Sequence, residues 1–239
     1  MAGGPCFSLS GFNPKSKKSM KKLSRIAFAG IAIVHLVAIL FNMALISAVT
    51  KPLLVVVLAI YYLLASSRRN VLFLVALFFC WLGDVLLMLQ GDEMFFIAGL
   101  VSFLTGHVLY IICYRKFVRS GSGLTGPQRI RFALPLVLAG TGLVTVLFPH
   151  LGALQIPVMV YALVITLMAI QALFRYGYTN AKSFILVFAG AISFMISDSL
   201  LAINKFMQPL PLAGLAIMFT YILAQYLIVE GVLQHEGEK

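Results

Sequence analysis

Eight apolar runs, most of them close to the length of a bilayer crossing, divide this chain: 26–47, 52–66, 71–89, 95–115, 131–148, 153–174, 183–203 and 211–233. A hydrocarbon core of about 30 Å needs about 20 apolar residues when the segment is α-helical. Helix breakers and polar residues separate the runs: Ser66-Ser67-Arg68-Arg69-Asn70, Gln90-Gly91-Asp92-Glu93, Ser120-Gly121-Ser122-Gly123, Pro149-His150 and Gln208-Pro209. Hydrophobic residues make up 62% of the 239 and charged ones 10%, with a mean hydropathy of +1.03. A soluble domain carries about 25% charged residues, because its outer surface must face water. Strands of a membrane barrel would be shorter and would alternate apolar with polar positions, which these runs do not. The expected fold is all-α: a polytopic membrane protein with one bundle of eight transmembrane helices over 26–233. A basic segment, 1–25, precedes the bundle and a short tail, 234–239, follows it.

Charge placement predicts the orientation. Lys15, Lys17, Lys18, Lys21, Lys22 and Arg25 precede the first run. Arg68 and Arg69 follow the second; Arg115, Lys116, Arg119, Arg129 and Arg131 follow the fourth; Arg175 and Lys182 follow the sixth; Lys239 ends the chain. Of the 18 Lys and Arg, only Lys51 and Lys205 fall on the other side. The basic side is cytoplasmic by the positive-inside rule, so both termini are expected there, in the inner membrane if the source is bacterial. A net charge of +11 spread in this way indicates membrane topology, with no nucleic-acid partner expected. The first run is too long for a signal-peptide core and reads as a retained span. Residues 1–19 are expected to be disordered, and Met20-Lys21-Lys22 would also serve as the start of a membrane protein. Cys6, Cys80 and Cys113 show no ligand spacing, and the last two read as small buried hydrophobes.

Three acidic residues, Asp84, Asp198 and Glu230, lie inside the runs. A mid-bilayer aspartate costs about 2.5–3.5 kcal/mol on insertion scales, so such groups face the bundle interior and have partners. Each is either a structural hydrogen-bonding group or part of a site, and Glu230, near a helix end, suits the structural role by snorkelling. At a rise of about 1.5 Å per residue, Asp84 and Asp198 both fall roughly 10 Å below the outer surface. Tyr161 falls at roughly 12 Å, Tyr221 at roughly 15 Å and His107 at roughly 16–20 Å, so five helices would feed one polar layer. Helical spacing puts Asp198 with Lys205, Ser197 with Asn204, Tyr221 with Gln225 and His107 with Tyr110 on shared faces. Lys51 and Lys205 sit at outer helix mouths, either as snorkelling cations or as partners for a lipid phosphate. His35 and Asn42 read as packing or interhelical hydrogen-bonding residues of the first helix. Gly83-Asp84-Val85-Leu86-Leu87 and Ser197-Asp198-Ser199-Leu200-Leu201 echo each other four helices apart, as two parallel four-helix halves would.

The residues that carry these features resemble the YhhN-like lysoplasmalogenase family of eight-helix membrane proteins. They are Lys51-Pro52-Leu53, Gly83-Asp84 with Leu87, His107 with Tyr110, and Tyr161. Ser197-Asp198 with Asn204-Lys205-Phe206 and Pro209, and Thr220-Tyr221 with Ala224-Gln225, complete the set. The resemblance runs from about Lys51 to Gln225 and implies cleavage of the vinyl ether bond of a lysoplasmalogen, a lysophospholipid, to a fatty aldehyde and a glycerophospho head group. Such chemistry needs one protonated acid and one charged carboxylate around an oxocarbenium-like centre, as at glycosidic bonds. Asp84 and Asp198 are the expected catalytic pair. Lys51, His107, Tyr110, Tyr161, Ser197, Asn204, Lys205, Tyr221 and Gln225 are expected to bind or orient. Neither a metal nor an organic cofactor is required. A proton-coupled carrier and a non-catalytic lipid-binding protein are the alternatives.

The charge pattern yields a first test. A cysteine placed at Ser122 should stay unlabelled by an impermeant maleimide added to intact cells. Strong labelling there would refute the orientation.

Overall fold

The computed structural model describes residues 14–66, 68–89, 93–116 and 121–236. They form eight α-helices: α1 (Pro14–Leu40), α2 (Ala44–Ala65), α3 (Val71–Met88), α4 (Glu93–Lys116), α5 (Gly126–Leu147), α6 (Gln155–Leu173), α7 (Ala181–Phe206) and α8 (Ala213–Glu236). Two single 3₁₀ turns, Phe148–His150 and Gly152–Leu154, join α5 to α6, and no strand occurs among the described residues. All eight helices are long and apolar enough to cross a membrane, as an integral multi-pass protein requires.

The expected breakers do their work locally. Asn70 caps α3, its side-chain oxygen accepting from the Phe73 amide at 3.3 Å, and Asn180 caps α7 through the Ser183 amide at 2.6 Å. Thr125 and Gln128 form a capping box at α5, with Pro127 in its first turn.

Several boundaries differ from those expected. The run 26–47 is not one helix: the chain turns at Phe41-Asn42-Met43, where Asn42 has φ 53°. Asn42 is therefore a turn residue and not an interhelical contact. Asparagine tolerates the left-handed conformation better than most residues, and the apolar residues on both sides hide the turn from a hydropathy profile. Lys51 consequently sits two turns inside α2. At the front, α1 begins at Pro14, so the basic stretch from Lys15 to Arg25 is helical; residues 1–13 lie outside the described residues. At the back, α8 continues to Glu236, taking in residues assigned to the tail. Glu236 is buried and accepts hydrogen bonds from Tyr62 Oη at 2.7 Å and Ser66 Oγ at 2.5 Å.

Helix neighbours repeat. α1 packs on α2 as α5 does on α6, α3 on α4 as α7 on α8, α2 on α3 as α6 on α7, and α4 on α6 as α8 on α2. This is the pattern of two parallel four-helix halves. The halves part company at their first helices, because α1 also packs on α8 while α5 leans mainly on α6. Burial follows: 56% of the α8 span is enclosed, against 11% of the α5 span. At Gly190 the backbones of α7 and α8 come so close that a Cβ would lie 2.8 Å from Ile228.

The end of the bundle where α2 and α8 finish is tied by polar contacts. Arg25 Nη2 lies 2.7 Å from Glu230 Oε1, which also accepts from Tyr61 Oη at 2.5 Å. Glu230 is thus structural but 6% exposed, held by partners within the bundle and not reaching the interface. In the α6–α7 turn, buried Arg175 donates to Ser183 Oγ at 2.9 Å and lies over the Tyr114 ring at 5.6 Å. Burial pulls its guanidinium down to about 10, which leaves it charged at neutral pH.

Removing Arg25 strands a buried carboxylate. Arg25 is 44% exposed by side chain, so the loss should be modest. Arg25→Ala should lower Tm in detergent by about 3–8 °C, and adding Glu230→Gln should restore much of it. Equal Tm values for the single and double variants would show that the pair does not contribute.

Candidate functional site

Asp84 projects from α3 about one turn before its end and is 3% exposed. Its Oδ2 accepts a hydrogen bond of 2.5 Å from Tyr221 Oη of α8. Tyr221 Oη accepts in turn from Gln225 Nε2 at 3.2 Å, one helical turn along. Gln225 Oε1 accepts from Tyr110 Oη of α4 at 2.9 Å, and Cys80 Sγ donates to that same hydroxyl at 3.9 Å. The donors therefore run in one direction, from Cys80 through Tyr110, Gln225 and Tyr221, and end on Asp84. Because Tyr221 accepts a hydrogen bond from Gln225, its own single proton is directed to Asp84.

Asp198 occupies the matching place on α7, where its Oδ2 accepts from Tyr161 Oη of α6. An aromatic wall runs from Tyr221 to Tyr161. Phe194 packs edge-on against Tyr221 with ring centroids 5.4 Å apart and against His107 at 4.6 Å, and His107 meets Tyr161 at 5.5 Å. Phe103 closes the wall against Tyr221 at 6.0 Å. His107 is fully buried, and neither ring nitrogen has a hydrogen-bond partner among the described residues.

Asp198 and Tyr161 line a void of about 40 Å³, enough for about one water. Leu87, Phe96, Leu201 and Phe206 line both that void and an open cleft of about 940 Å³ at the bundle end where α3 finishes. Lys51 and Lys205 stand on the cleft, with Lys205 Nζ 5.1 Å over the Phe96 ring. Leu87, one turn beyond Asp84, lines both cavities, and Asp198 lies at the inner end of this funnel.

Most of the expected site residues converge: Asp84, Asp198, Tyr110, Tyr161, Tyr221 and Gln225 in hydrogen-bonded pairs and a chain, His107 in the wall between them, and Lys51 with Lys205 on one cleft. Two do not. Ser197 Oγ donates to the Ile217 carbonyl at 3.0 Å, clamping α7 to α8. Asn204 Oδ1 accepts from the Leu210 amide at 3.0 Å, closing the α7–α8 turn. Both share a face with each other, as their spacing implies, but their side chains are engaged by backbone. Glu93 and His150 also line the cleft and were not singled out from sequence. Each sits in a break between runs, where a polar residue is ordinary, so only the fold distinguishes them. Cys80 likewise read as a plain hydrophobe, yet it starts the donor chain. No cluster of three His, Cys, Asp or Glu suited to a metal ion occurs among the described residues.

Comparison with known proteins finds one family and several named relatives. Residues 46–232 match the YhhN family. Human lysoplasmalogenase TMEM86A is 32% identical over 173 residues, covering 70% of this chain and 67% of the human protein. The lysoplasmalogenase of Mycobacterium tuberculosis is 30% identical over 151 residues, covering 62% of this chain and 55% of its own. Lysoplasmalogenase TMEM86B of Sus scrofa is 34% identical over 140 residues, 58% of this chain and 54% of that protein. The match thus spans little more than half the length of the mycobacterial relative. No solved structure matches the chain.

Proposed function

The chain belongs to the YhhN family, and from that membership and its two tyrosine-held aspartates we propose that it hydrolyses the vinyl ether bond of lysoplasmalogens within the membrane. The observation that carries the reading is the pairing itself: two carboxyl groups, each held by one tyrosine, the tyrosines joined by a line of buried aromatic rings, with a cleft that carries two lysines next to the void at Asp198. The names of the relatives supply the substrate class.

In the proposed reaction Asp198, on the void, is the acid. It gives its proton to the β-carbon of the enol ether, and the C=C electron pair forms the new C–H bond. The ether oxygen then shares the positive charge as an oxocarbenium ion. Asp84, at the end of the donor chain, is the carboxylate that stabilises this cation and takes a proton from the attacking water. The hemiacetal so formed breaks its bond to the glycerol oxygen, which takes the proton from Asp84 and leaves as the free alcohol, while the hemiacetal hydroxyl returns its proton to Asp198 and the fatty aldehyde remains. Water enters the products and nothing is oxidised. The open nitrogens of His107 are available to hold that water, while Tyr161 and Tyr221 fix the two carboxyl groups. With the expected orientation, Lys51 and Lys205 hold the phosphate of the head group at the outer cleft. A carrier would favour interrupted helices around its buried acids, whereas α3 and α7 run unbroken through Asp84 and Asp198.

Purified protein incubated with alkenyl-glycerophosphocholine and its ester counterpart should release aldehyde from the first and no fatty acid from the second. Asp84→Asn and Asp198→Asn should each remove most of this activity with folding retained. The double variant should be little worse than either, because members of one catalytic unit are not additive. A loss below about tenfold, roughly 1.4 kcal/mol, in either single variant would mark that aspartate as structural and end the two-carboxylate scheme.

The lysines call for a separate measurement. Lys51→Met and Lys205→Met should raise KM for the choline phospholipid more than they lower kcat. Unchanged kinetics in both would leave them as snorkelling residues.

A further inference from the structure

The void at Asp198 has a second neighbour. On the face of the bundle where α5 meets α6, an apolar groove of about 520 Å³ runs along the two helices. A further void of about 40 Å³, lined by Tyr161 and Asp198, shares four residues with that groove: Gly140, Val144, Ala162 and Thr166. The reacting centre therefore adjoins two compartments of opposite character. One is the cleft with Lys51, Lys205, Glu93 and His150; the other is a groove whose wall is almost wholly hydrocarbon.

Three hydroxyls do line the groove, but each is spent on backbone one turn back. Thr141 donates to the Val137 carbonyl at 2.8 Å, Thr145 to Thr141 at 2.9 Å and Thr166 to Ala162 at 2.7 Å. No side-chain donor is left to favour a polar ligand. The neck is set by Gly140, where a Cβ would collide with Thr166 Oγ1; the missing side chain lets α5 lie against α6 just beside the void. The groove's α6 wall runs from Met159 to Ile170, about 16 Å of helix, the scale of a long hydrocarbon chain. α5 is the helix least held by its neighbours, with only Gly140 and Leu147 buried, so it is the element best able to move aside.

We infer that the α5–α6 groove is the site for the substrate's alkenyl chain, and that the chain and the aldehyde product pass sideways through the Gly140–Thr166 neck while the head group stays in the polar cleft. The inference rests on the proposed hydrolysis for the identity of the chain. Occupation of the groove by a single aliphatic chain is argued from its apolar wall, its length and the four lining residues it shares with a void at Asp198.

The test uses the full-length protein and a saturated, non-hydrolysable alkyl-glycerophosphocholine with a mid-chain diazirine. Irradiation should label peptides covering 137–145 and 159–170, and excess unlabelled alkyl lysolipid should suppress that label. Label that resists competition, or that falls on other helices, overturns the proposal whether or not hydrolysis occurs. A kinetic arm fills the neck with Val144→Trp and with Ala162→Phe. Each should cut kcat/KM for a hexadecenyl substrate by about tenfold or more, yet change that for a butenyl substrate by less than about threefold. Equal losses for both chain lengths, or none for either, would count against the groove. If the wild type releases no aldehyde from any substrate, the hydrolytic reading falls, and the competable label still decides the binding site.

Discussion

A carboxyl group in the hydrocarbon layer must find a donor within the protein, since that layer holds no bulk water and lipid tails carry no donors. Asp84 and Asp198 find theirs in Tyr221 and Tyr161, and much of the bundle's arrangement follows from delivering those hydroxyls. Tyr221 reaches Asp84 because α8 runs through the interior of the fold, touching α1, α2 and α7. Tyr161 reaches Asp198 because α6 lies beside α7. The rings of Phe103, Phe194 and His107 pack against one another and reach both tyrosines. In such surroundings each hydrogen bond to a carboxyl is stronger than it would be at a surface.

The two halves of the bundle are alike in packing but not in this chemistry. Asp84 and Asp198 are 114 residues apart, and so are His107 and Tyr221. The position that offers Asp84 a hydroxyl is thus an imidazole in the other half, and Asp198 takes its hydroxyl from a different helix. One carboxyl ends a four-member chain of donors, while the other has a single tyrosine and borders a void. Like positions with unlike surroundings are what a division into acid and carboxylate asks for.

Composition and hydropathy made the eight helices legible, and the cost of intramembrane charge singled out both aspartates. Helical spacing was enough to associate Tyr221 with Gln225. It did not separate a free side chain from an engaged one: Ser197 and Asn204 share the favoured face but serve the backbone. Asn42 shows the reverse limit, since an apolar stretch can turn back on itself without any change in hydropathy. Arg25 with Glu230 and Tyr62 with Glu236 join residues from opposite ends of the chain, and no local pattern reports such meetings.

The contrast between α8 and α5 bears on how such a chain can change over generations. A substitution at Gly190, Ala224 or Ile228 meets protein on the far side, so it must be answered by another nearby. A swap among apolar residues on α5, at Val137, Leu138 or Val146, meets lipid tails that rearrange around any shape. Drift is therefore cheap on one helix and expensive on another within the same bundle. The tyrosine-held aspartates are shielded by the expensive one, and on the proposed path of the alkenyl chain the cheap one stands beside the hydrocarbon. A lineage facing lipids of different chain length has, in α5, a wall it can resize without disturbing either aspartate.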